Sequence, residues 1–252
     1  MYDTQKAGML KRVAAWLLDA ILYTSIAAGV LALMGMLLNV ESYTKKMDDI
    51  YKSYEQRYGI SFTMTESDYQ KMSEEELAIY EQVAEELSKD VEAQKTYEMV
   101  LNLTLLMLSI SLLVPYVILE FALPLWLKNG QTIGKKIFNI ALMRKDGVKV
   151  APFMLFVRAI LGKYTLETMI PVMIVIMMIF GTAGWVGVIA LGLILLLQMG
   201  ILIKTDTNST IHDLAACTVA VDFGSQMIFD SPEDRLEYIK SIQLDRATNA
   251  DY

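Results

Sequence analysis

The sequence predicts an all-α polytopic membrane protein with four transmembrane helices, an extracytoplasmic helical hairpin and a small cytoplasmic β element. Three observations predict it. Of 252 residues, 54% are hydrophobic and the mean hydropathy is +0.39. The apolar residues are gathered into blocks, with uncharged runs at residues 20–40, 99–119 and 168–203. The charges between the blocks are segregated by sign: residues 41–98 carry 15 acidic and 7 basic side chains, whereas residues 128–167 carry 8 basic and 2 acidic. Block length fixes the number of crossings and charge sign fixes their direction.

The first block begins with a charged foot. Arg12 and Asp19 stand at i and i+7, nearly two turns apart on one helical face and roughly 10 Å apart along the axis. The 21 uncharged residues that follow span about 31 Å as a helix, matching a hydrocarbon core of about 30 Å. This block is too long for the apolar region of a signal peptide and is expected to be retained. Residues 99–119 return across the bilayer, and Glu120 falls at the end of that pass, inside an apolar continuation that reaches Leu127 through Pro124. Residues 168–203 are 36 uncharged positions, about 54 Å as one helix, far too long for a single straight pass. Gly181, Thr182, Ala183 and Gly184 supply a turn near the middle, so two passes are expected, from about Leu161 to Phe180 and from about Trp185 to Ile203. The basic segment and both termini are then cytoplasmic, and the acidic segment lies outside.

That outer segment is patterned as a helical pair. Tyr43, Met47, Ile50, Tyr54 and Tyr58 recur at helical spacing before Gly59. Ser73 and Glu76 form a capping-box pattern, and Leu77, Tyr80, Ala84, Leu87 and Val91 continue at three- and four-residue steps. Such stripes ordinarily pack on each other; a partner-binding role is the sharper alternative. On the inner side, residues 137–143 and 217–223 read as two short strands, with an Asp-Gly turn at Asp146-Gly147. Two lone strands pair only if they lie on one side of the membrane. Residues 152–163 read as an interfacial amphipathic helix, with Arg158 and Lys163 on its polar face. Residues 224–252 are acidic, lack a sustained apolar pattern and read as a loose cytoplasmic extension.

Quoted together, three stretches resemble the RDD family of bacterial membrane proteins, named for one arginine and two aspartates. Lys11-Arg12-Val13-Ala14-Ala15-Trp16-Leu17-Leu18-Asp19 matches the first two letters, and Ile211-His212-Asp213-Leu214-Ala215-Ala216-Cys217-Thr218-Val219 matches the third. Gly130-Gln131-Thr132-Ile133-Gly134-Lys135-Lys136, with Asp146-Gly147 downstream, is similar to the family's cytoplasmic loop. The resemblance implies a membrane domain over residues 8–223, with residues 41–98 as an insertion, residues 128–167 as the basic loop and residues 224–252 as a tail. The chain departs from the family at Ala216-Cys217, where Ala-Gly is usual. Sodium or lithium/proton exchange is proposed for some members, so the resemblance implies protons or monovalent cations as partners.

Four residues are candidates for handling an ion: Asp19, Asp213, Arg12 and Glu120. A charge inside hydrocarbon costs about 3 kcal/mol or more, which makes Asp19 a functional carboxylate if it lies within the bilayer and an ion pair or helix cap if it does not. Arg12 is read as an interfacial anchor or positive-inside signal, or as the residue that holds the geometry of Asp19 and Asp213. Asp213 has the alternative of capping a short helix. Glu120 has that of snorkelling to the interface. All four come from the cytoplasmic ends of three passes, with Arg12 and Asp19 both on the first. The expected function is therefore a small transporter or cation/proton exchanger, with a non-transporting scaffold whose outer hairpin binds a partner as the alternative. An oligomer is expected, because four passes are few for a solitary transporter.

Other chemistries are excluded by type and spacing. One cysteine, Cys217, forbids an intramolecular disulfide, and one histidine, His212, forbids multi-histidine metal sites. Residues 130–136 place three residues between the glycines where a nucleotide-binding loop has four. No nucleophile and base pair can be named, so neither an enzyme nor a cofactor is expected. The basic loop favours anionic lipid over nucleic acid, given a net charge of -7.

Overall fold

The structure is a computed structural model that describes residues 4–250; residues 1–3 and the last two residues of the tail, 251–252, lie outside them. Four helices are long and apolar enough to cross a membrane: α1 (Met9–Leu37), α5 (Val91–Leu127), α7 (Pro152–Ile179) and α8 (Gly184–Lys204). Large apolar side chains along α8, among them Trp185, Val186, Ile189, Leu193 and Leu196, are exposed, as expected where the surrounding solvent is hydrocarbon. Between α1 and α5 lie α2 (Val40–Tyr58), α3 (Glu66–Tyr69) and α4 (Glu74–Lys89). After α5 come α6 (Ile133–Ile137) and β1 (Ile140–Arg144); after α8 come α9 (Ile211–Ala215), β2 (Thr218–Asp222) and α10 (Pro232–Ala250).

The chain divides into two compact units, residues 1–27 with 112–252, and residues 28–111. The second contains the expected helical pair. Gly59 ends α2 in the left-handed conformation, and the Ser73–Glu76 capping box starts α4. The two helices are stitched by Tyr54, whose hydroxyl donates to Asp90 at 3.0 Å, and by Tyr58 bonding Glu86. Phe62 and Tyr69 pack against Tyr80, and Val83 is fully buried.

The first unit is organised by the two strands. β1 and β2 pair antiparallel, with Ile140 opposite Asp222 and Arg144 opposite Thr218. Both faces of this ribbon are covered. Ile140, Leu142 and Ala220 pack with Ala7, Ala15 and Leu155 on one face, while Ala141, Met143, Val219 and Val221 cluster on the other. That double burial explains why the strands read as nearly continuous apolar runs. The chain start covers the free edge of β2: Lys6 bridges Val221, Asp222 N–H donates to the carbonyl of Gln5, and Ala7 N–H donates to that of Ala220. Pairing across β1 and β2 demands an even number of crossings between them, which α7 and α8 supply. The contact of Lys6 with Val221 makes the same demand of all four.

Three expectations are corrected. Residues 152–163 do not lie in the interface as a separate helix; they are the first turns of α7, continuous to Ile179, and Arg158 is 3% exposed. The strand starts at Ile140, because Ile137 closes α6. The tail is not loose. Phe229 is buried and exchanges hydrogen bonds with Gly147 and Lys149, and Pro232 opens a 19-residue helix behind Ser231, which donates to and accepts from Asp234.

Candidate functional site

The charged residues of the first unit meet where α1, α5 and α7 approach the ribbon. Asp213 sits at N3 of α9, where its Oδ2 accepts from the backbone N–H of Thr210 at 3.1 Å and from its hydroxyl at 2.9 Å. Capping is only part of its role. Its Oδ1 is bonded by the guanidinium of Arg158, which also donates to the Thr218 hydroxyl at 2.9 Å, and Arg12 lies 3.6 Å from Oδ2. Asp213 is 1% exposed. Burial alone would raise its pKa, but the Arg158 guanidinium, the neighbouring His212 and the Thr210 backbone bond hold it well below the usual carboxylate range.

Arg12 does not pair with Asp19. Its guanidinium reaches down to the loop after α8, donating to the carbonyls of Thr207 at 3.2 Å and Asn208 at 2.7 Å. Asp19 instead caps α6: Oδ1 accepts from Gly134 N–H at 2.8 Å and Oδ2 from the Thr132 hydroxyl. This contact requires glycine at 134, because a Cβ there would fall 2.2 Å from the carbonyl oxygen of Ala15. The Gly130–Lys136 stretch, which looked like a phosphate loop, is thus a docking turn for α1. Gly162 does the same for α9, since a Cβ would meet that of His212 at 2.5 Å.

Glu120 is 7% exposed and does not snorkel. Its Oε1 is bonded by Lys163, and Lys135 lies 3.5 Å from Oε2. Oε2 of Glu120, Nζ of Lys135 and Nε of Arg158 are buried with no hydrogen-bond partner among the described residues. Burial lowers the Lys135 pKa to about 8 against the opposing pull of Glu120. His212 is buried against Glu167, which its Nδ1 meets at 2.8 Å, and burial with the nearby Arg158 holds its pKa at about 4. Four of these residues, Glu120, Arg158, Lys163 and Glu167, come from stretches where α5 and α7 are wound with i→i+5 bonds, Tyr116–Ala122 and Val157–Met169. Such π-helical turns recur at functional sites.

The three stretches carrying Arg12, Asp19 and Asp213 thereby converge with the basic loop on one buried network, and the RDD family model matches residues 6–217. The chain belongs to the RDD family. No curated protein and no solved structure matches it. In this RDD protein the arginine and the second aspartate are partners, while the first aspartate serves the loop. The family's glycine position is held by Cys217 with φ 51, a left-handed backbone, so the substitution did not remove the need for that conformation.

Two cavities open at the network. One, of about 290 Å³, is lined by Arg12, Asp19, Glu120, Lys135, Arg158 and Lys163 on its charged side and by Met9, Val13, Trp16 and Leu202 on its apolar side. The other, of about 200 Å³, shares Trp16, Asp19, Glu120 and Lys163 and extends to Tyr23, Thr24 and Tyr116. The rings of Tyr23 and Tyr116 meet at a tilt with centroids 4.7 Å apart, and the Tyr116 hydroxyl bonds that of Thr168 at 2.7 Å. Among the described residues no three His, Cys, Asp or Glu side chains converge as metal ligands. Of the four residues singled out in the sequence, all lie in or against this region; Lys135, Arg158, Lys163, Glu167 and His212 were not singled out.

Proposed function

We propose that this RDD-family membrane protein is a small proton-coupled transporter whose ligand chamber is the pair of adjoining cavities. One observation carries the reading: the cavities share Trp16, Asp19, Glu120 and Lys163, so a charged partition stands between them. From Arg12 to Tyr23 the chain of α1 rises about 17 Å, roughly half the thickness of a hydrocarbon core. Ionisable side chains at such depth are costly and mark ion or proton pathways by default. Glu120 and Lys135 are the acid–base pair for the proton, because each keeps an atom without a hydrogen bond, whereas Asp213 has both oxygens committed. The lining holds four cationic side chains against two carboxylates, which disfavours the monovalent cations expected from the resemblance.

The orientation is inferred from the loop between α5 and α7. Residues 128–151 hold six basic side chains and one acidic, so this loop, the ribbon and both termini are cytoplasmic and the acidic segment is outside. The test is reconstitution of the full chain alone, with a trapped pH-sensitive dye reporting proton movement when sodium, potassium or phosphate is added outside. Phosphate-driven proton flux, abolished in Glu120→Gln at equal amounts of folded protein, is expected. Absence of flux with every ion, or flux per folded molecule unchanged in Glu120→Gln, overturns the reading.

A scaffold is the second reading, favoured by one feature of the other unit. Met47, Tyr51, Phe62, Tyr80, Ala84 and Leu87 line an apolar groove of about 480 Å³ beside α2 and α4, which carry 10 of the 15 acidic residues of residues 41–98. A phenotype lost on removing residues 41–89 but retained in Glu120→Gln would place the scaffold first.

A further inference from the structure

The larger cavity has a surplus of hydrogen-bond donors and a half-apolar wall. Asp19 is consumed, since Oδ1 takes Gly134 N–H and Oδ2 takes the Thr132 hydroxyl. Glu120 gives Oε1 to Lys163 and keeps Oε2, which faces Lys135 at 3.5 Å as an ion pair without a hydrogen bond. Against that single open acceptor stand the Lys135 ammonium and Nε of Arg158, both buried and without a hydrogen bond among the described residues. A ligand that completes this wall must bring several acceptor oxygens and negative charge, the chemistry of a phosphate group. The opposite wall asks for something else. Met9, Val13 and Trp16 line the cavity and are each more than 40% exposed, continuing outward into Leu10 and Leu17 on the apolar surface of α1.

We propose that this cavity binds the phosphate of an anionic phospholipid, with the headgroup oxygens on Lys135 and Arg158 and the start of the acyl chains along Val13 and Trp16. A free phosphate would use the first wall and leave the second bare. About 290 Å³ admits a phosphate and a glycerol-sized group but not two acyl chains, which must run out over the exposed side chains of α1. The inference rests on the cavity named above and not on transport. A lipid that binds without proton flux would leave it standing and remove only the transporter reading.

The test uses the full chain in detergent with dioctanoyl phosphatidylglycerol as the probe, dioctanoyl phosphatidylcholine and inorganic phosphate as the comparison arms, and binding read by thermal shift and by native mass spectrometry. Saturable binding of phosphatidylglycerol is expected, with phosphatidylcholine and inorganic phosphate each at least tenfold weaker. Lys135→Met is expected to weaken phosphatidylglycerol about tenfold, and Trp16→Ala to weaken it while leaving inorganic phosphate unchanged. Lys136→Met, one residue on and exposed outside the cavity, is expected to change nothing. Equal binding of the two lipids by the unaltered chain overturns the proposal without recourse to any variant. So does inorganic phosphate binding as tightly as phosphatidylglycerol, or equal losses in Lys135→Met and Lys136→Met, which would indicate general attraction of anions to the basic loop.

Discussion

Replacing Asp213 by asparagine should cost more stability than replacing the arginine that faces it. The carboxylate is buried at 1% exposure and answers two guanidinium groups, Arg158 on Oδ1 and Arg12 at 3.6 Å from Oδ2. Asparagine keeps the size and one acceptor for Thr210 N–H, so α9 stays capped, but both arginines are left facing no anion at the site. Removing one partner of a buried pair costs about 3–5 kcal/mol, and here two cations are stranded, so the upper end, about 5 kcal/mol, is expected. In Arg158→Met the aspartate keeps Arg12 and both Thr210 bonds, so about 3 kcal/mol is expected. The double variant should cost less than the sum by about 2 kcal/mol, within the range for contacting pairs. Equilibrium unfolding of the full chain in mixed micelles, followed by tryptophan fluorescence, reads all three. A loss under about 1 kcal/mol in Asp213→Asn would refute the argument, as would strict additivity; either would mean that the arginines find solvent or lipid phosphate instead.

Three further outcomes follow from the same contacts. His212 has its pKa lowered from 6.5 to about 4 in the folded chain, so the unfolded chain binds the extra proton between those values; stability should fall by about 3 kcal/mol as pH drops from 6.5 to 4, and the melting midpoint of His212→Gln should stay level from pH 6.5 to about 5, above the range where the buried carboxylates contribute. Gly134→Ala and Gly162→Ala each drive a Cβ into a neighbour, Ala15 carbonyl oxygen in the first and His212 in the second, and each should lower stability by about 1–3 kcal/mol in the same unfolding assay, whereas an unchanged midpoint would mean the helices can separate freely. Cys217→Gly relieves a left-handed backbone and should raise stability by about 1 kcal/mol, while Cys217→Val should lower it; a loss in the glycine variant would show that the thiol is needed where it stands.

The membrane helices and the outer hairpin were legible because each is announced by a local rule: uncharged length for α1, α5 and α8, spacing and a capping box for α2 and α4. The β1–β2 pairing was legible through topology, since two isolated strands on one side have only each other. Helix α10 carried a signal that composition obscured. Ser231, Pro232, Glu233 and Asp234 are an N-cap, a first-turn proline and two acids, and the acidic character of the tail hid a regular start.

The network itself was half legible, and the missing half has a geometric cause. Reading at 3.6 residues per turn places Arg158 and Lys163 about 140° apart, at the two edges of the polar face of an interfacial helix, and makes neither a partner for a membrane carboxylate. Winding Val157–Met169 with i→i+5 bonds widens each turn, and both side chains then reach inward, Arg158 to Asp213 and Lys163 to Glu120. That Arg12 takes Asp213 and not Asp19 was illegible for a different reason. Arg12 and Asp19 share a helical stripe, and proximity in sequence made them look like partners. Asp19 lies about 10 Å further along the axis, where Gly134 brings backbone donors to it, and the arginine is left to the residue that arrives from 201 positions away. An ion pair read along one helix is therefore outcompeted whenever a second helix offers a carboxylate that has no other way to be buried.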